Sequence, residues 1–415
     1  MIKNDLGHMG CPFYEQKLAN GLNVIFIPRK SQLKSALIYV GQGGFSHDEE
    51  INSSKIPFGS AYFLEKMIMS EKTKDELKEM AVIGDSTLDY SSTCFTLDTL
   101  GDVFKALKVV LDKICSFDFN EMDVEEFKKV NASLFFNRSH NPFILTKMTC
   151  VENLFSESPI KLGFIPNEEQ AKVIHASALK KFQTKYYSAS HMTLIISGDF
   201  RPGEVIDQVS KLRVPSFTTT YNKKLEYQED YSQVAHFNRT LHLPYPYDVM
   251  SLGIKLPKRE KVYEDYGVLS FSMYELLLPL LFTSNNNFLN GLRGINGDLL
   301  EAKLLQGDED AFILLTMKCS DKNRLGIFLT DYLSALEKRY SREDLSRVSN
   351  NYYCTALKYL AVPKTAVSNF AAAYSNNIPY TSMVDSISKM KYSTMKEFTS
   401  AISTLPKATS LLEHV

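Results

Sequence analysis

The feature that most constrains this chain's fold is a plan of strands and helices that runs through it twice. In the first half, NVIFIP (Asn23 to Pro28) and SALIYVG (Ser35 to Gly41) carry the β-branched and aromatic runs of strands, joined by a basic turn. Ala61, Leu64, Met67 and Ile68 then recur at helical spacing between Gly59 and about Met69. STCFTLDTL (Ser92 to Leu100) reads as a strand, and VFKALKVVLDKIC (Val103 to Cys115) as an amphipathic helix. A further helix starts at Glu121, with acidic residues in its first turns as the helix dipole prefers, and MTLIISG (Met192 to Gly198) returns as a strand. The second half repeats this order. DVMSLGIKLP (Asp248 to Pro257) stands where SALIYVG stood, and SFSMYELLLPLLF (Ser270 to Phe282) where the first short helix stood. AFILLTMKCS (Ala311 to Ser320) and LGIFLTDYLSALEK (Leu325 to Lys338) parallel the earlier strand and amphipathic helix. This pattern predicts an α+β duplication, each half a sheet covered on one face by helices. The polar stretch around PSFTTTYNKKLEYQEDYSQ marks a linker, so the expected domains are 1–215 and 234–415, with the linker over 216–233.

Composition narrows the function. At 415 residues the chain exceeds one compact core and suits two domains. A net charge of -1 carries no basic bias toward nucleic acid or an anionic membrane. The 6 cysteines include no C-x-x-C pair, which predicts reduced thiols. With no secretory leader and no apolar run long enough to span a bilayer, the expectation is a soluble, cytoplasmic protein, and the N-x-S/T matches are chance. The 8 histidines show no i,i+3 or i,i+4 pairing that would build a metal site on one helix. Gly41, Gly43 and Gly44 lack the Lys-Ser/Thr of a phosphate loop and are expected instead to let a peptide or partner backbone approach an edge strand. EKTKDELKEM, from Glu71, reads as a solvated helix face.

The chemistry concentrates in GSAYFLEK, Gly59 to Lys66. An H-x-x-E-H helix places two histidines four apart on one face to hold zinc, with the glutamate as general base. Here the same positions read Tyr62, Phe63, Leu64, Glu65 and Lys66. The base position survives and both imidazoles are replaced. GSAYFLEKMI resembles the G-x-A-H-F-L-E-H-M segment of the pitrilysin/insulinase family, which includes the mitochondrial processing peptidase. Asn20-Gly21-Leu22-Asn23-Val24 resembles that family's opening strand, and Leu179 to Phe200 the segment closing its first half.

The resemblance implies further positions. The family's third zinc ligand is a Glu seven residues after another Glu, and EFKKVNASL places Ser133 there, counted from Glu126. The family's Arg and Tyr, seven apart, correspond to Arg293 and Leu300 in LRGINGDLL, so half of that oxyanion-stabilising pair is retained. Tyr62, Lys66 and Ser133 offer a phenol, an ammonium and a hydroxyl, none a good zinc donor at neutral pH. Two readings of Lys66 stand open: an electrostatic replacement for the missing cation with Glu65 as counter-charge, or drift in a pocket relieved of its metal. Arg293 is either a chemical contact or a structural salt bridge at a helix end.

The resemblance therefore implies a degenerate, non-catalytic member. The expected role is the silent subunit of a heterodimeric peptidase, partnered by an intact H-x-x-E-H paralogue that alone carries zinc. An extended peptide is the expected substrate, held by strand addition, in a peptide-maturation setting. The alternatives are a stand-alone peptide-binding or escort protein, a structural scaffold, and an active peptidase with another metal site.

Overall fold

A computed structural model describes residues 1–5, 12–45, 50–51, 54–116, 118–163, 165–214, 227–375 and 380–414. They form two compact units, and neither is contiguous in sequence. The first takes its residues from 1–135, 164–225 and 355–381, and the second from 136–163, 226–354 and 382–415.

The first unit is built on β1 (Ile2–Asp5), β2 (Pro12–Lys17), β3 (Asn23–Pro28) and β4 (Lys34–Gly41). A two-residue-strand hairpin, β5 (Glu50–Ile51) and β6 (Ser54–Lys55), stands apart from the main sheet. β7 (Val82–Leu88), β8 (Ser92–Thr99) and β9 (Met192–Gly198) complete that sheet in the order β1-β2-β3-β9-β4-β8-β7. Helices α1 (Ser60–Ile68), α2 (Glu71–Glu79), α3 (Val103–Cys115) and α4 (Glu121–Val130) belong to the same unit.

Val24, Phe26, Ala36, Ile38, Phe95, Leu194 and Ile196 join Ala61, Leu64, Ile68 and Leu107 in one apolar core. The alternate residues Ile25, Ile27, Leu37 and Ile195 are equally buried. Strands buried on both faces read as continuous apolar runs, and NVIFIP and SALIYVG do. The helix Pro363–Ser375 packs against β4 and β9 within this unit. It is pinned there by Tyr374, which donates to Glu15 at 2.6 Å, by the Phe13–Phe370 edge contact at 5.1 Å, and by Lys364 against Asp98 at 3.1 Å.

In the second unit β10 (Asn238–Leu243), β11 (Asp248–Lys255), β12 (Asp298–Gln306), β13 (Ala311–Cys319) and β14 (Lys407–His414) pair in the order β10-β14-β11-β13-β12. Leu252, Ile254, Ile313, Leu315 and Met317 form a core with Met273, Leu276 and Leu277 of the helix Leu269–Leu278 and with Leu325 and Leu329 of the helix Lys322–Leu333. After α5 (Ala132–His140), α6 (Pro142–Leu154) packs on β14 and β11. Asn153 Nδ2 donates to the Thr409 carbonyl at 2.8 Å. A Cβ on Gly253 would lie 2.5 Å from Leu154 Cδ1, so this approach requires glycine in the sheet.

The α+β duplication is therefore present, and each sheet gains a second helical cover from the opposite half of the sequence. The expected domains, 1–215 and 234–415, differ from the observed units for that reason. A sheet apolar on both faces needs helices on both, and a helix from the distant half supplies the second. Residues 216–226 of the expected linker lie outside the described residues, while Tyr227–Gln233 is folded into the second unit. The single helix expected from Glu121 breaks at Asn131 into α4 and α5.

Candidate functional site: the degenerate helix

Gly59 starts α1 with a φ of 97°, in the left-handed region that favours glycine. A Cβ there would also meet Pro166 at 2.8 Å. The helix that follows is buried along nearly its whole length. Ala61, Leu64 and Ile68 face the sheet core, while Tyr62 and Phe63 meet aromatic rings from α4 and α5. The Phe63 ring lies 4.8 Å from Phe127 and is stacked at 5.6 Å on Phe135. Tyr62 lies 6.5 Å from Phe127 and 6.4 Å from Phe135.

Glu65 and Lys66 form an ion pair at this cluster. Lys66 Nζ donates to Glu65 Oε1 at 3.0 Å and stands 5.9 Å from the Tyr62 ring centre. The Glu65 side chain is 0% exposed and the Lys66 side chain 41%. Glu65 Oε2 is buried with no donor among the described residues. Burial, and then the charge of Glu65, push the Tyr62 phenol up to about 12, so it stays neutral at physiological pH.

Zinc does not fit this donor set. A neutral phenol and an ammonium hold the two histidine positions, and the rings of Phe127 and Phe135 meet Tyr62 from the neighbouring helices. Ser133 is exposed on the first turn of α5 and forms no hydrogen bond with Tyr62 or Lys66. Among the described residues no three His, Cys, Asp or Glu side chains converge as a metal site. The sequence reading missed Phe127 and Phe135. Their spacing of eight, about two helical turns, was the available signal.

The remaining candidates fall elsewhere. Arg293 is exposed on the last turn of the helix Asn286–Gly294, with a long 3.5 Å contact to Asn290 Oδ1. It forms no ion pair among the described residues, so the helix-end salt bridge allowed by the sequence is not found there. Leu300 is the extra residue of a β-bulge between Leu299, opposite Met317, and Glu301, opposite Thr316. The bulge leaves it 40% exposed. The edge strand that Gly41, Gly43 and Gly44 are expected to open to a partner backbone is not the strand they follow. β4 lies between β9 and β8, and the outer strand beside α1 and α2 is β7.

Comparison with known proteins gives these features a family setting. Residues 174–226 match the family described as Peptidase M16 inactive domain. The crystal structure of an M16-like peptidase from Alicyclobacillus acidocaldarius superposes with a TM-score of 0.81 at 16% identity, over 98% of this chain and 99% of that one. Pitrilysin superposes with a TM-score of 0.73 at 16% identity, over 99% of this chain and 46% of pitrilysin. The chain has the pitrilysin, or M16, fold. The resemblance read from the segment around Glu65 is thereby borne out. YmfH, described as an uncharacterized zinc protease of Bacillus subtilis, is 24% identical over 204 residues. That match takes in 47% of this chain and about half of the relative's length, 48%.

Proposed function

We propose that this chain is a catalytically silent M16 homologue that pairs with a zinc-bearing paralogue and holds extended peptide for it. The observation that carries the reading is the Lys66–Glu65 ion pair inside the degenerate helix. A general base must accept a proton from water that a metal has acidified. Glu65 is instead buried against an ammonium, and the neighbouring side chains cannot recruit zinc. The chemistry then falls to the partner's H-x-x-E-H helix, and zinc with it.

β7 supports the peptide-holding part. It is one of the two outer strands of its sheet, seven residues long, with no proline and no register shift against β8. The outer strand β12 of the other sheet is guarded by its bulge and by Glu301 between Lys147 and Lys303, at 2.9 and 2.5 Å. An unguarded edge can add a peptide strand through main-chain hydrogen bonds, with little demand on sequence. Cys94, Cys115, Cys150 and Cys354 are free thiols, which suits a proposed cytoplasmic setting. Nothing here requires a nucleic-acid or membrane partner.

Co-expression with an H-x-x-E-H paralogue from the same source tests the reading. The expected outcome is a heterodimer on size exclusion, with zinc and chelator-sensitive peptidase activity only in the complex. A monomer that ignores such paralogues yet binds peptides would establish the escort alternative instead.

A further inference from the structure

Tyr227–Gln233 has no helix or strand of its own, yet two buried charged side chains hold it in the second unit. The Lys255 side chain is 1% exposed. Its ammonium donates to Glu229 Oε1 at 2.5 Å and to the carbonyls of Asp230 and Gln233 at 2.7 and 3.0 Å, which uses all the donors it has. The Phe155 ring lies 5.0 Å from the same nitrogen. Asp310, also buried, accepts from the hydroxyls of Tyr227 and Tyr231 at 2.5 Å each and from Ser158.

Glu229 links this stretch to α6. Its carboxylate accepts the backbone N–H groups of Ser156, Glu157 and Ser158 at 3.2, 2.7 and 2.9 Å. Those residues are the chain leaving α6, and Ser158 bonds Asp310 from the other side. Just beyond the stretch, His236 N donates to the Asn153 carbonyl in the last turn of α6 at 2.9 Å. By contrast, among the described residues the side-chain polar contacts of α6 with the sheet are Asn153 with Thr409, a weak Cys150 thiol contact to the Ala408 carbonyl at 3.6 Å, and two partly exposed ion pairs, Lys147–Glu301 at 2.9 Å and Glu152–Arg239 at 3.5 Å.

We propose that Tyr227–Gln233 is a strap that fastens the end of α6, so that stable seating of this helix on the second sheet depends on the strap. The physical reason is the asymmetry of buried charge. Removing Lys255 leaves the Glu229 carboxylate buried without its counter-charge, and removing the Asp310 carboxylate leaves the hydroxyls of Tyr227, Tyr231 and Ser158 without their shared acceptor, so the bonds to the strap are lost together rather than one by one. The helix concerned comes from the first half of the sequence. The strap therefore lies at the point where a helix from one half is committed to the sheet of the other.

Hydrogen–deuterium exchange on the full chain tests this. Asp310→Asn, Lys255→Met and the milder Tyr231→Phe are compared with wild type, with β13 and β4 as internal references. The expected result is exchange in 156–158 and in α6 accelerated together, on the order of tenfold, with β13 and β4 near wild-type rates. Faster exchange in 156–158 with α6 unchanged would overturn the proposal, as would equal acceleration of β13, which indicates general loosening of the unit. Tyr231→Phe removes a single neutral donor, so its comparison decides the matter even where the charge variants fail to fold.

Discussion

Lys66 donates to Glu65 at 3.0 Å from the next position on the same helix, and a fully buried carboxylate is thereby neutralised by a half-exposed ammonium. Lys66 thus stands as the counter-charge of Glu65, the contact that the electrostatic reading of this lysine requires. Its methylene stem allows this, because a long side chain can run along an apolar wall while its head reaches water.

Lys66→Met should therefore destabilise the chain by about 1–3 kcal/mol, a range discounted for the exposure of the ammonium. Glu65→Gln in the same background should restore most of that loss, because no unpaired charge then remains buried. Urea denaturation of the four members of the cycle measures it. Simple additivity of the two single effects would remove the electrostatic role assigned to Lys66.

The purified chain should contain no stoichiometric zinc after dialysis, by elemental analysis. Tyr62→His with Lys66→His and Phe127→Glu should bind zinc more tightly than the same double variant with Ser133→Glu. Phe127 faces Tyr62, whereas Ser133 is exposed. The reverse order would show that the third-ligand register runs through Ser133, as the sequence resemblance implies.

Single prolines scanned along Val82–Leu88 should affect peptide binding at alternate positions. In an outer strand the N–H groups point alternately toward the neighbour and outward. At outward positions binding should fall about tenfold with little loss of stability, and at inward positions stability should fall first. Fluorescence anisotropy with an extended peptide, paired with melting curves, separates the two sets. A uniform response along the strand would move the peptide off β7.

Arg293→Ala should leave the stability of the chain within about 0.5 kcal/mol, because its guanidinium is exposed and makes one long contact. In the assembled heterodimer it should lower kcat and kcat/KM together if the guanidinium acts on the transition state. Weaker assembly with normal turnover of the remaining dimer would assign Arg293 to the interface instead.

Glu229 supplies a pH signature. Burial alone would raise its pKa, but hydrogen bonds from Lys255, Glu157 and Ser158 outweigh that and hold it below the ordinary value of 4.5. A carboxylate depressed in the folded state stabilises above its unfolded pKa, and that stability is lost as pH falls through the folded value. The stability gap between wild type and Glu229→Gln should thus be full at neutral pH and close as pH drops below about 4.5. Chemical denaturation at a series of pH values reads it. A gap that stays constant down to pH 3 would mean that ionised Glu229 contributes nothing.

Local sequence determined much of this protein. The apolar runs of NVIFIP and SALIYVG specify strands buried on both faces, Gly59 specifies the left-handed entry to α1, and the pair Glu65-Lys66 already places the two charges side by side. The loss of the zinc ligands is legible for the same reason, since H-x-x-E-H is a spacing on one helix. Tertiary structure alone decided three other things. Helix 363–375 covers the first sheet and α6 the second, which no local pattern encodes because an apolar helix face does not by itself specify which sheet it will meet. Phe127 and Phe135 meet Tyr62 only once α4 and α5 fold back across α1. The outer position of β7 follows from strand order, and strand order is set by which apolar faces find one another in three dimensions, a property of the packed chain and not of any segment within it.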